Sequence, residues 1–314
     1  MKYGFGVDLG GTTVKIAYFD ESGSLLDKWE IPTVTANGGE QILPDIAASI
    51  KAYIANNAIT AEEIIGIGIG VPGPVSSKGV VNKCVNLGWG VFNIEEALRA
   101  LTGFPVKAGN DANVAAMGEY WKGGGKGYDN LVLATLGTGV GGGIVVDGRL
   151  VYGKNGCGGE IGHLVLKKDE TVPCGCGKKG CVEQYCSATG VARTAKEYLA
   201  KDARPSVLRE KDTLACKDIF DASAAGDPVA ADILEVVYDN LAEFICNLCA
   251  VLDPEVVVLG GGVSKAGDVL LQGIARYFPK YMFHAIGSVK LSLAALGNDA
   301  GAYGAFKLAL DAFN

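Results

Sequence analysis

Four side chains in the middle of the chain have the types and spacing of a metal site. His163 is followed after ten residues by Cys174, and Cys176 and Cys181 come soon after it. Three thiolates and one imidazole make a tetrahedral zinc site, and the intervening glycines let a short loop turn its sulfurs inward. Three buried free thiols are the alternative, but buried thiols rarely alternate with glycine and lysine. The spacing therefore predicts zinc, and four protein ligands make the site structural rather than catalytic.

Glycine-rich turns follow three apolar segments and could bind phosphate. Backbone N–H groups converge on an anion most easily where no Cβ intervenes. The first turn adds the hydroxyls of Thr12 and Thr13 and the carboxylate of Asp8, which could hold Mg²⁺ through water. The second turn adds Thr138. A single glycine turn can equally be a plain hairpin. The turns are Gly10-Gly11, 137–143 and 260–262.

Two familiar nucleotide motifs do not explain these glycines. A P-loop requires GxxxxGK[ST], and the chain has no such string. The dinucleotide pattern GxGxxG fits residues 137–142 and 68–73, but a helix must begin inside that motif. A strand is predicted after the first match and a Pro-Gly-Pro turn ends the second. A nicotinamide-dependent oxidoreductase is therefore disfavoured.

Asp111 is the carboxylate best placed for acid–base chemistry. It lies where a predicted strand ends and a predicted helix begins, and cleft edges of α/β lobes lie at such junctions. A carboxylate there could take the proton from a hydroxyl nucleophile. Asp near a helix N-terminus is also a favoured cap. The residues alone leave both roles open.

Hydrophobic periodicity predicts an alternation of strands and helices. Period-two runs predict strands at 3–9, 14–19, 25–31, 64–71, 105–108, 131–136, 144–146 and 255–259. Amphipathic runs predict helices at 40–57, 93–101, 111–121, 188–201, 228–252 and 300–313. The unit of strand, glycine turn and strand at the start of the chain recurs after residue 130, which indicates an internal repeat.

A chain of 314 residues is expected to form two lobes, and the glycines at 123–127 are the best candidate boundary. We predict a small α/β lobe at 1–122, completed by the C-terminal helix at about 300–314. Residues 123–299 then form a large α/β lobe that carries the zinc loop.

Composition and charge exclude several classes of protein. The net charge is −7 and no long Lys/Arg run occurs, so nucleic-acid binding is not expected. No apolar run has the roughly 18 residues that a membrane span needs, and the N-terminus lacks a secretory h-region. Nine cysteines without that signal predict reduced thiols and a cytoplasmic location.

Five motifs together resemble the ROK family, which groups repressors, open-reading-frame proteins and sugar kinases. They are DLGGTTVK (8–15), GNDANVAAMGE (109–119), LGTGVGGGI (136–144), GGEIGH (158–163) and CGCGKKGCVEQYCS (174–187). They occur in order along nearly the whole chain, and the joint presence of GGEIGH and the Cys-Gly-Cys loop is highly specific. The chain is most similar to the bacterial members that phosphorylate glucose.

The resemblance implies an actin-like ATPase fold, related to ribonuclease H, with the active site in the cleft between two α/β lobes. It implies Asp111 as the general base, ATP with Mg²⁺ as the phosphoryl donor, and zinc on His163 and the three cysteines. One ring nitrogen of His163 would then bind zinc while the other faces a sugar hydroxyl. The implied sugar ligands are Asn86, Asn110, Asp111, Glu160, His163 and Glu183. The implied nucleotide contacts are Gly10, Gly11, Thr12, Thr13, Gly137, Thr138 and Gly139 at the phosphates, and Gly260, Gly261 and Gly262 near the adenosine.

The resemblance therefore predicts ATP-dependent phosphorylation of glucose to glucose 6-phosphate, as in glycolysis. The alternatives are a ROK kinase for fructose, mannose, allose or an N-acetylated amino sugar, and a sugar-sensing ROK protein without catalysis. Repressors of the family carry a helix-turn-helix before the phosphate motif, and only seven residues precede Asp8 here. A homodimer or a dimer of dimers through the large lobe is expected.

Overall fold

Twelve strands form two five-stranded sheets and one two-stranded ribbon in a computed structural model that describes residues 1–314. They are β1 (Tyr3–Leu9), β2 (Thr13–Asp20), β3 (Leu25–Pro32), β4 (Ile64–Val71), β5 (Val80–Val81), β6 (Phe92–Asn93), β7 (Val106–Asn110), β8 (Leu131–Leu136), β9 (Val140–Val146), β10 (Arg149–Leu150), β11 (Val256–Gly260) and β12 (Lys290–Leu293).

Twelve α-helical segments connect and flank these strands. They are α1 (Ala36–Gly39), α2 (Ile42–Asn56), α3 (Ile94–Thr102), α4 (Asp111–Lys122), α5 (Glu183–Cys186), α6 (Ala188–Lys201), α7 (Cys216–Ala224), α8 (Pro228–Leu252), α9 (Gly261–Ser264), α10 (Asp268–Ala275), α11 (Phe278–Tyr281) and α12 (Ala300–Phe313). None of these helices is both long and apolar enough to cross a membrane.

The first sheet has the strand order β3-β2-β1-β4-β7. Strands β1, β2 and β3 pair antiparallel, whereas β4 and β7 join β1 as parallel strands. In the antiparallel register Asp8 of β1 lies opposite Lys15 of β2. Helix α4 follows β7 directly, so the sheet delivers Asp8 and Asp111 at the carboxyl ends of two of its parallel strands.

Helix α12 packs on the first sheet where glycines leave room for its backbone. A Cβ on Gly6 of β1 would lie 2.0 Å from the carbonyl oxygen of Ala302, and one on Gly68 of β4 would lie 1.6 Å from that of Ala305. A Cβ on Gly304 would likewise lie 1.6 Å from the carbonyl oxygen of Val114 in α4. These distances are far below van der Waals contact, so the strand glycines are required for helix packing.

The second sheet repeats this order as β10-β9-β8-β11-β12. Strands β9 and β10 pair antiparallel, and β11 pairs parallel with both β8 and β12. The recurrence in strand order agrees with the repeat of strand, glycine turn and strand in the sequence. The longest helix, α8, begins at Pro228 and is capped by Asp227, whose carboxylate accepts the N–H groups of Val229 and Ala230 at 2.9 and 3.0 Å.

The chain divides into two compact units. The first contains residues 1–129, 143–159 and 295–314, and the second contains 130–142 and 160–294. These limits differ from the predicted lobes, because residues 143–159 fall in the first unit rather than with 123–299. The division passes through β9, between Gly142 and Gly143. The assignment of a small and a large lobe stays a prediction.

Candidate active site

The first glycine turn joins β1 to β2 and leaves open space beside its backbone. Gly10 donates its N–H to the carbonyl of Thr13 at 3.0 Å, and the Thr33 hydroxyl donates to the Gly10 carbonyl at 2.7 Å. A Cβ on Gly11 would meet no atom within 4 Å. The turn is therefore fixed by its own bonds, and Gly11 with the exposed Thr12 faces free space that an anion could enter.

Asp8 lies at the end of β1, next to this turn. Desolvation raises the pKa of its carboxyl and the charge of Asp111 raises it further, whereas Lys15 opposite it lowers it. The Lys15 ammonium also donates to the carbonyl of Asn298 at 3.2 Å. Helix α12 approaches Asp8 closely, since a Cβ on Gly301 would lie 2.6 Å from the carboxyl carbon. A bound cation would relieve the repulsion between the two carboxylates.

The junction between β7 and α4 separates two roles that the sequence left open. Asn110, not Asp111, is the N-cap of α4, and its Oδ1 accepts the N–H groups of Ala112 and Asn113 at 3.0 and 3.2 Å. Its Nδ2 donates to the carbonyl of Gly73 at 3.0 Å. Asn110 therefore has a structural role, and its side chain also lowers the pKa of the neighbouring Asp111 by hydrogen bonding.

Asp111 is the first residue of α4, and its side chain is exposed to solvent. One carboxylate oxygen accepts the N–H of Ala112 at 2.8 Å. Desolvation by the surrounding protein raises the pKa of Asp111, and the hydrogen bond from Ala112 partly opposes that rise. The carboxylate is thus accessible, free of a cation partner and more basic than an ordinary aspartate, as a general base requires.

Asn86 lies on a small closed loop in the first unit. Cys84 and Trp89 exchange backbone hydrogen bonds of 3.1 and 3.0 Å, and a 3₁₀ turn at Val85–Leu87 closes the loop between them. The indole N–H of Trp89 donates to the carbonyl of Gly39 at 3.1 Å and anchors the loop. The loop holds Asn86 at its tip with the side chain exposed.

The second glycine turn, between β8 and β9, is shorter than the sequence suggested. Gly137 donates to the carbonyl of Gly139 at 3.0 Å, and β9 already begins at Val140. The expectation of a turn over 137–143 is therefore wrong, because glycines 141–143 belong to the strand. A Cβ on Gly137 would meet no atom within 4 Å, and Thr138 is exposed. The turn resembles the first one in leaving space beside its backbone.

The third glycine cluster is a junction between strand and helix. β11 ends at Gly260, and α9 begins at Gly261, whose φ is +82°. A Cβ there would lie 2.6 Å from the carbonyl of Leu136, so Gly261 is required by the backbone conformation and by the neighbouring strand. Gly262 is exposed and has no such close contact. Of the three, it is the one with space for a ligand.

The predicted metal ligands come together in the second unit. The ligand atoms of His163, Cys174, Cys176 and Cys181 all lie within 4.8 Å of one another. His163 Nδ1 is buried and has no hydrogen-bond partner. An orphaned buried nitrogen beside three thiols fits a Cys₃His zinc site, where Nδ1 would be the imidazole ligand. His163 Nε2 lies 3.9 Å from a carboxylate oxygen of Glu160, whose side chain is 47% exposed.

Glu183 connects the metal loop with the second glycine turn. One carboxylate oxygen accepts the N–H of Val140 at 3.1 Å, and the other lies 3.4 Å from the sulfur of Cys174. A Cβ on Gly139 would lie 2.1 Å from the Glu183 carboxylate, so this glycine is needed for the approach. The acid is therefore held between two predicted binding elements of the same unit.

One buried acid on the helix that begins with Asp111 was not identified from the sequence. Glu119 of α4 is fully buried, and it accepts the N–H groups of Gly124, Ala295 and Leu296 at 2.7, 2.9 and 2.9 Å. Three backbone donors replace a cation partner and tie α4 to the segment that leads into α12. The available signal was a lone Glu at the end of an otherwise small and apolar helix face, just before a glycine run.

Comparisons with known proteins identify the family of the chain. The model of the ROK family matches residues 4–312. A glucokinase from Halalkalibacterium halodurans is 42% identical over 304 residues, which cover 95% of this chain and 92% of the relative. An N-acetyl-D-glucosamine kinase from Yersinia pseudotuberculosis is 32% identical over 320 residues, which cover 97% of each chain.

Solved structures match over nearly the full length. The crystal structure of a ROK family glucokinase from Streptomyces griseus in complex with glucose and AMPPNP has a TM-score of 0.75 and 31% identity, and the match covers 98% of both chains. The predicted α/β fold of the actin-like ATPase class is thereby confirmed.

Proposed function

Because the chain belongs to the ROK family, we propose that it is a hexose kinase that transfers the γ-phosphoryl group of ATP to glucose and forms glucose 6-phosphate. The single observation that carries the proposal is the junction at Asn110 and Asp111. There the neighbouring asparagine caps the helix, and the aspartate carboxylate is left exposed with a raised pKa. The glucokinases among the relatives and solved structures support glucose as the acceptor.

In the proposed reaction Asp111 accepts the proton of the sugar 6-hydroxyl as that oxygen attacks the γ-phosphorus of ATP. The bond from the γ-phosphorus to the bridging oxygen breaks, and ADP leaves with the electron pair. The proton resides on the Asp111 carboxyl until solvent removes it. A carboxylate that is more basic than an ordinary aspartate suits this transfer.

Nucleotide binding is assigned to the glycine turns. Gly10 to Thr13 in the first unit and Gly137 to Gly139 in the second would contact the phosphates, and Gly260 to Gly262 would lie near the adenosine. Open space beside Gly11, Gly137 and Gly262 supports these roles. Asp8 is the proposed ligand, through water, of the Mg²⁺ that accompanies ATP, and that cation neutralises phosphate charge when bound.

Sugar recognition is assigned to side chains that accept or donate hydrogen bonds to hydroxyl groups. Asn86, Asn110 and Asp111 of the first unit and Glu160, His163 and Glu183 of the second are the proposed contacts. Zinc, when bound, would fix the His163 ring through Nδ1, so that Nε2 keeps one orientation toward the sugar. A site built on such hydrogen bonds rejects analogues that lack the hydroxyl by large factors.

A panel of hexoses tests the substrate assignment. ADP release from ATP is coupled to a spectrophotometric readout for glucose, fructose, mannose, allose and N-acetylglucosamine. Glucose is expected to give the highest kcat/KM. A kcat/KM about tenfold higher with another hexose, a difference of about 1.4 kcal/mol, would keep the kinase and reject glucose. No ADP release with any hexose would favour the non-catalytic, sugar-sensing alternative.

An amino-sugar kinase is the second candidate, and the 32% identity to an N-acetyl-D-glucosamine kinase favours it over the other hexoses. The same panel separates it from a glucose kinase, because the N-acetyl group sits on carbon 2 and must be accommodated in every productive complex.

Metal analysis and light scattering test the remaining assignments. About one zinc per chain is expected, and Cys176→Ser should lower the melting temperature and raise the KM for glucose together. Active protein that contains no zinc would contradict the metal assignment. We also propose a homodimer or a dimer of dimers, and a concentration-independent monomer mass would contradict it. A cytoplasmic location stays a prediction from the sequence.

A further inference from the structure

The segment between His163 and Cys174 has no regular secondary structure, although it connects two predicted ligands of the metal site. Its first part pairs with the chain beyond the cysteines, since Leu166 donates to the carbonyl of Gly180 at 2.7 Å. Its last part pairs with the same loop, since Cys174 donates to the carbonyl of Lys178 at 2.7 Å. Residues 168–171 lie between these two anchors and are mostly exposed.

Glu170 is the side chain that ties this stretch to the helices. Its carboxylate accepts the hydroxyl of Tyr185 in α5 and the guanidinium of Arg193 in α6, each at 2.5 Å. Its other oxygen accepts the backbone N–H groups of Thr171 and Val172, each at 2.8 Å. Only 6% of the Glu170 side chain is exposed. We call this arrangement the Glu170 clamp.

The clamp is built for an ionised acid. The hydrogen bond from Tyr185, followed by the one from the Val172 backbone, lowers the pKa of Glu170 to about 2. The Arg193 guanidinium also lies 5.6 Å from the centre of the Tyr185 ring and pairs with Glu197 at 2.7 Å. A buried carboxylate with this many donors is rigid, because each partner restrains the others.

The Glu170 clamp is connected to two predicted binding elements, the helix that carries Glu183 and the metal loop. Tyr185 lies on α5, the helix that begins with Glu183. Gln184 of α5 donates to the carbonyl of Val172 at 3.0 Å and accepts the N–H of Cys181 at 3.1 Å. The clamp therefore fixes the linker against the helix that carries Glu183, and Gln184 extends this connection to a cysteine of the metal loop.

We propose that Glu170 is a positioning residue that holds the zinc loop and Glu183 in their binding geometry. Its hydrogen-bond and ion-pair partners include neither the metal ligands nor the predicted sugar contacts. A ligand loop ordered in advance binds its metal more tightly, because less conformational entropy is lost on binding. The part of the inference that concerns sugar rests on the proposed function, and the part that concerns zinc does not.

A second carboxylate of the same unit supplies a matched control. Glu235 accepts the guanidinium of Arg276 at 2.7 Å and the hydroxyl of Tyr277 at 2.8 Å, as Glu170 does with Arg193 and Tyr185. Glu235 lies on α8, and Arg276 and Tyr277 lie between α10 and α11, so none of the three belongs to the segment 163–181. Its side chain is 42% exposed. Glu235→Gln therefore removes the same kinds of bond between residues that lie outside the segment 163–181.

The experiment compares Glu170→Gln, the milder Tyr185→Phe, Glu235→Gln and the parent, each as the zinc-loaded full chain. The first measurement is the rate of zinc release to a chromogenic chelator without sugar. Glu170→Gln is expected to release zinc about tenfold faster or more, the usual effect of losing a group that orients metal ligands, and Tyr185→Phe less so. Glu235→Gln should stay close to the parent. The second measurement is trypsin cleavage after the exposed Lys168, which should accelerate only in the two clamp variants.

Steady-state kinetics with glucose supply the third measurement. Loss of positioning should raise the KM several-fold and leave kcat nearly unchanged, since Asp111 lies outside the clamp. Zinc release and trypsin cleavage at the parent rates in Glu170→Gln would overturn the proposal. Equal acceleration of both in Glu235→Gln would overturn it too, because the effect would then reflect general destabilisation. Faster zinc release in a protein that does not phosphorylate glucose would support the clamp and reject only the proposed function.

Discussion

Two sets of glycines in this chain, one within apolar strands and one in turns that follow such strands, have opposite roles. Along β1 and β4, a Cβ on Gly6 or Gly68 would overlap the backbone of α12, at 2.0 and 1.6 Å from carbonyl oxygens. In the turns after β1 and β8, a Cβ on Gly11 or Gly137 would meet nothing within 4 Å. Beside the first set, the space that a side chain would need is occupied by the protein backbone. Beside the second set, that space is free for a ligand.

The difference teaches how to interpret a glycine motif. The string at 68–73 fits GxGxxG as well as the string at 137–142 does, yet Gly68 serves helix packing. Spacing cannot separate these roles, because both require the absence of a Cβ. What separates them is the neighbour that fills the space, and that neighbour is more than two hundred residues away in the chain.

The largest expected effect comes from Gly68→Ala. The new Cβ would lie 1.6 Å from the carbonyl oxygen of Ala305, so β4 and α12 would have to separate. We expect a loss of about 3 kcal/mol of unfolding free energy or more, or no soluble protein at all. Thermal unfolding by circular dichroism measures it. A melting temperature within about 2 °C of the parent, which corresponds to about 1 kcal/mol or less, would show that the two elements are not packed this way.

Asp111→Asn extends the comparison to two neighbouring residues: Asn110 caps helix α4, and Asp111 is exposed. Loss of the proton acceptor should reduce kcat by roughly 10² to 10⁴, with little change in glucose affinity or melting temperature. The control is Asn110→Ala, which removes the N-cap and should cost about 1 kcal/mol of stability. A kcat for Asp111→Asn within about threefold of the parent, under 1 kcal/mol, would exclude Asp111 as the base and direct attention to Asp8 and Glu160.

Gly11→Ala changes the other glycine set and should have a smaller effect. The methyl group enters open space in the protein but would occupy the room proposed for phosphate. We expect the KM for ATP to rise about tenfold, equivalent to about 1.4 kcal/mol, with the melting temperature unchanged. The KM for ATP and the melting temperature are measured on the same preparation. An unchanged KM for ATP would remove this turn from the nucleotide site, and a large drop in melting temperature would place Gly11 with the packing glycines.

The smallest effect concerns pH. Asp111 must be ionised to act, and its pKa is raised by desolvation, so kcat/KM should fall on the acid side at a higher pH than an ordinary aspartate would give. The contribution of Asp111 to folding stability changes in the opposite direction to activity as the pH rises. A folded pKa above the unfolded one favours the folded state below the unfolded pKa, and this contribution is lost as pH rises through the folded pKa.

A profile of kcat/KM between about pH 4 and 8, with melting temperatures at the same pH values, checks both statements, since an ordinary aspartate has a pKa of about 3.9. Asp111→Asn should flatten the pH dependence of stability. An acid limb at or below the ordinary value would mean that Asp111 is fully solvated during the reaction.

Local patterns predicted much of the secondary structure. The long helices α8 and α12 and the strands β1 and β4 lie where periodicity places them, because their apolar faces are regular and their ends carry clear signals such as Asp227 and Pro228. Helices α7 and α10 and strand β12 were not predicted. Their segments are only 9, 8 and 4 residues long, which is too short for a helical or strand period to be distinguished.

The candidate site was predictable where it is local in sequence. The four metal ligands lie within nineteen residues, and the structure brings their ligand atoms within 4.8 Å. The distinction between Asn110 and Asp111 was not predictable, because either side chain can cap a helix and only the backbone conformation selects one. The Glu170 clamp was hidden for another reason, since an isolated Glu in a polar loop is ordinarily an exposed charge.

The order in which the chain is synthesised gives the packing of α12 a further consequence. Residues 300–313 emerge from the ribosome after every strand of both sheets, yet they cover the glycine faces of β1 and β4, which emerge much earlier. The second unit draws on one long stretch, 160–294, together with the short segment 130–142. We therefore expect the nascent chain to complete the second unit first, while the first sheet waits with an uncovered face. A chain stalled before residue 300 would expose that face to chaperones, and we expect chaperone binding to end in chains long enough for α12 to emerge.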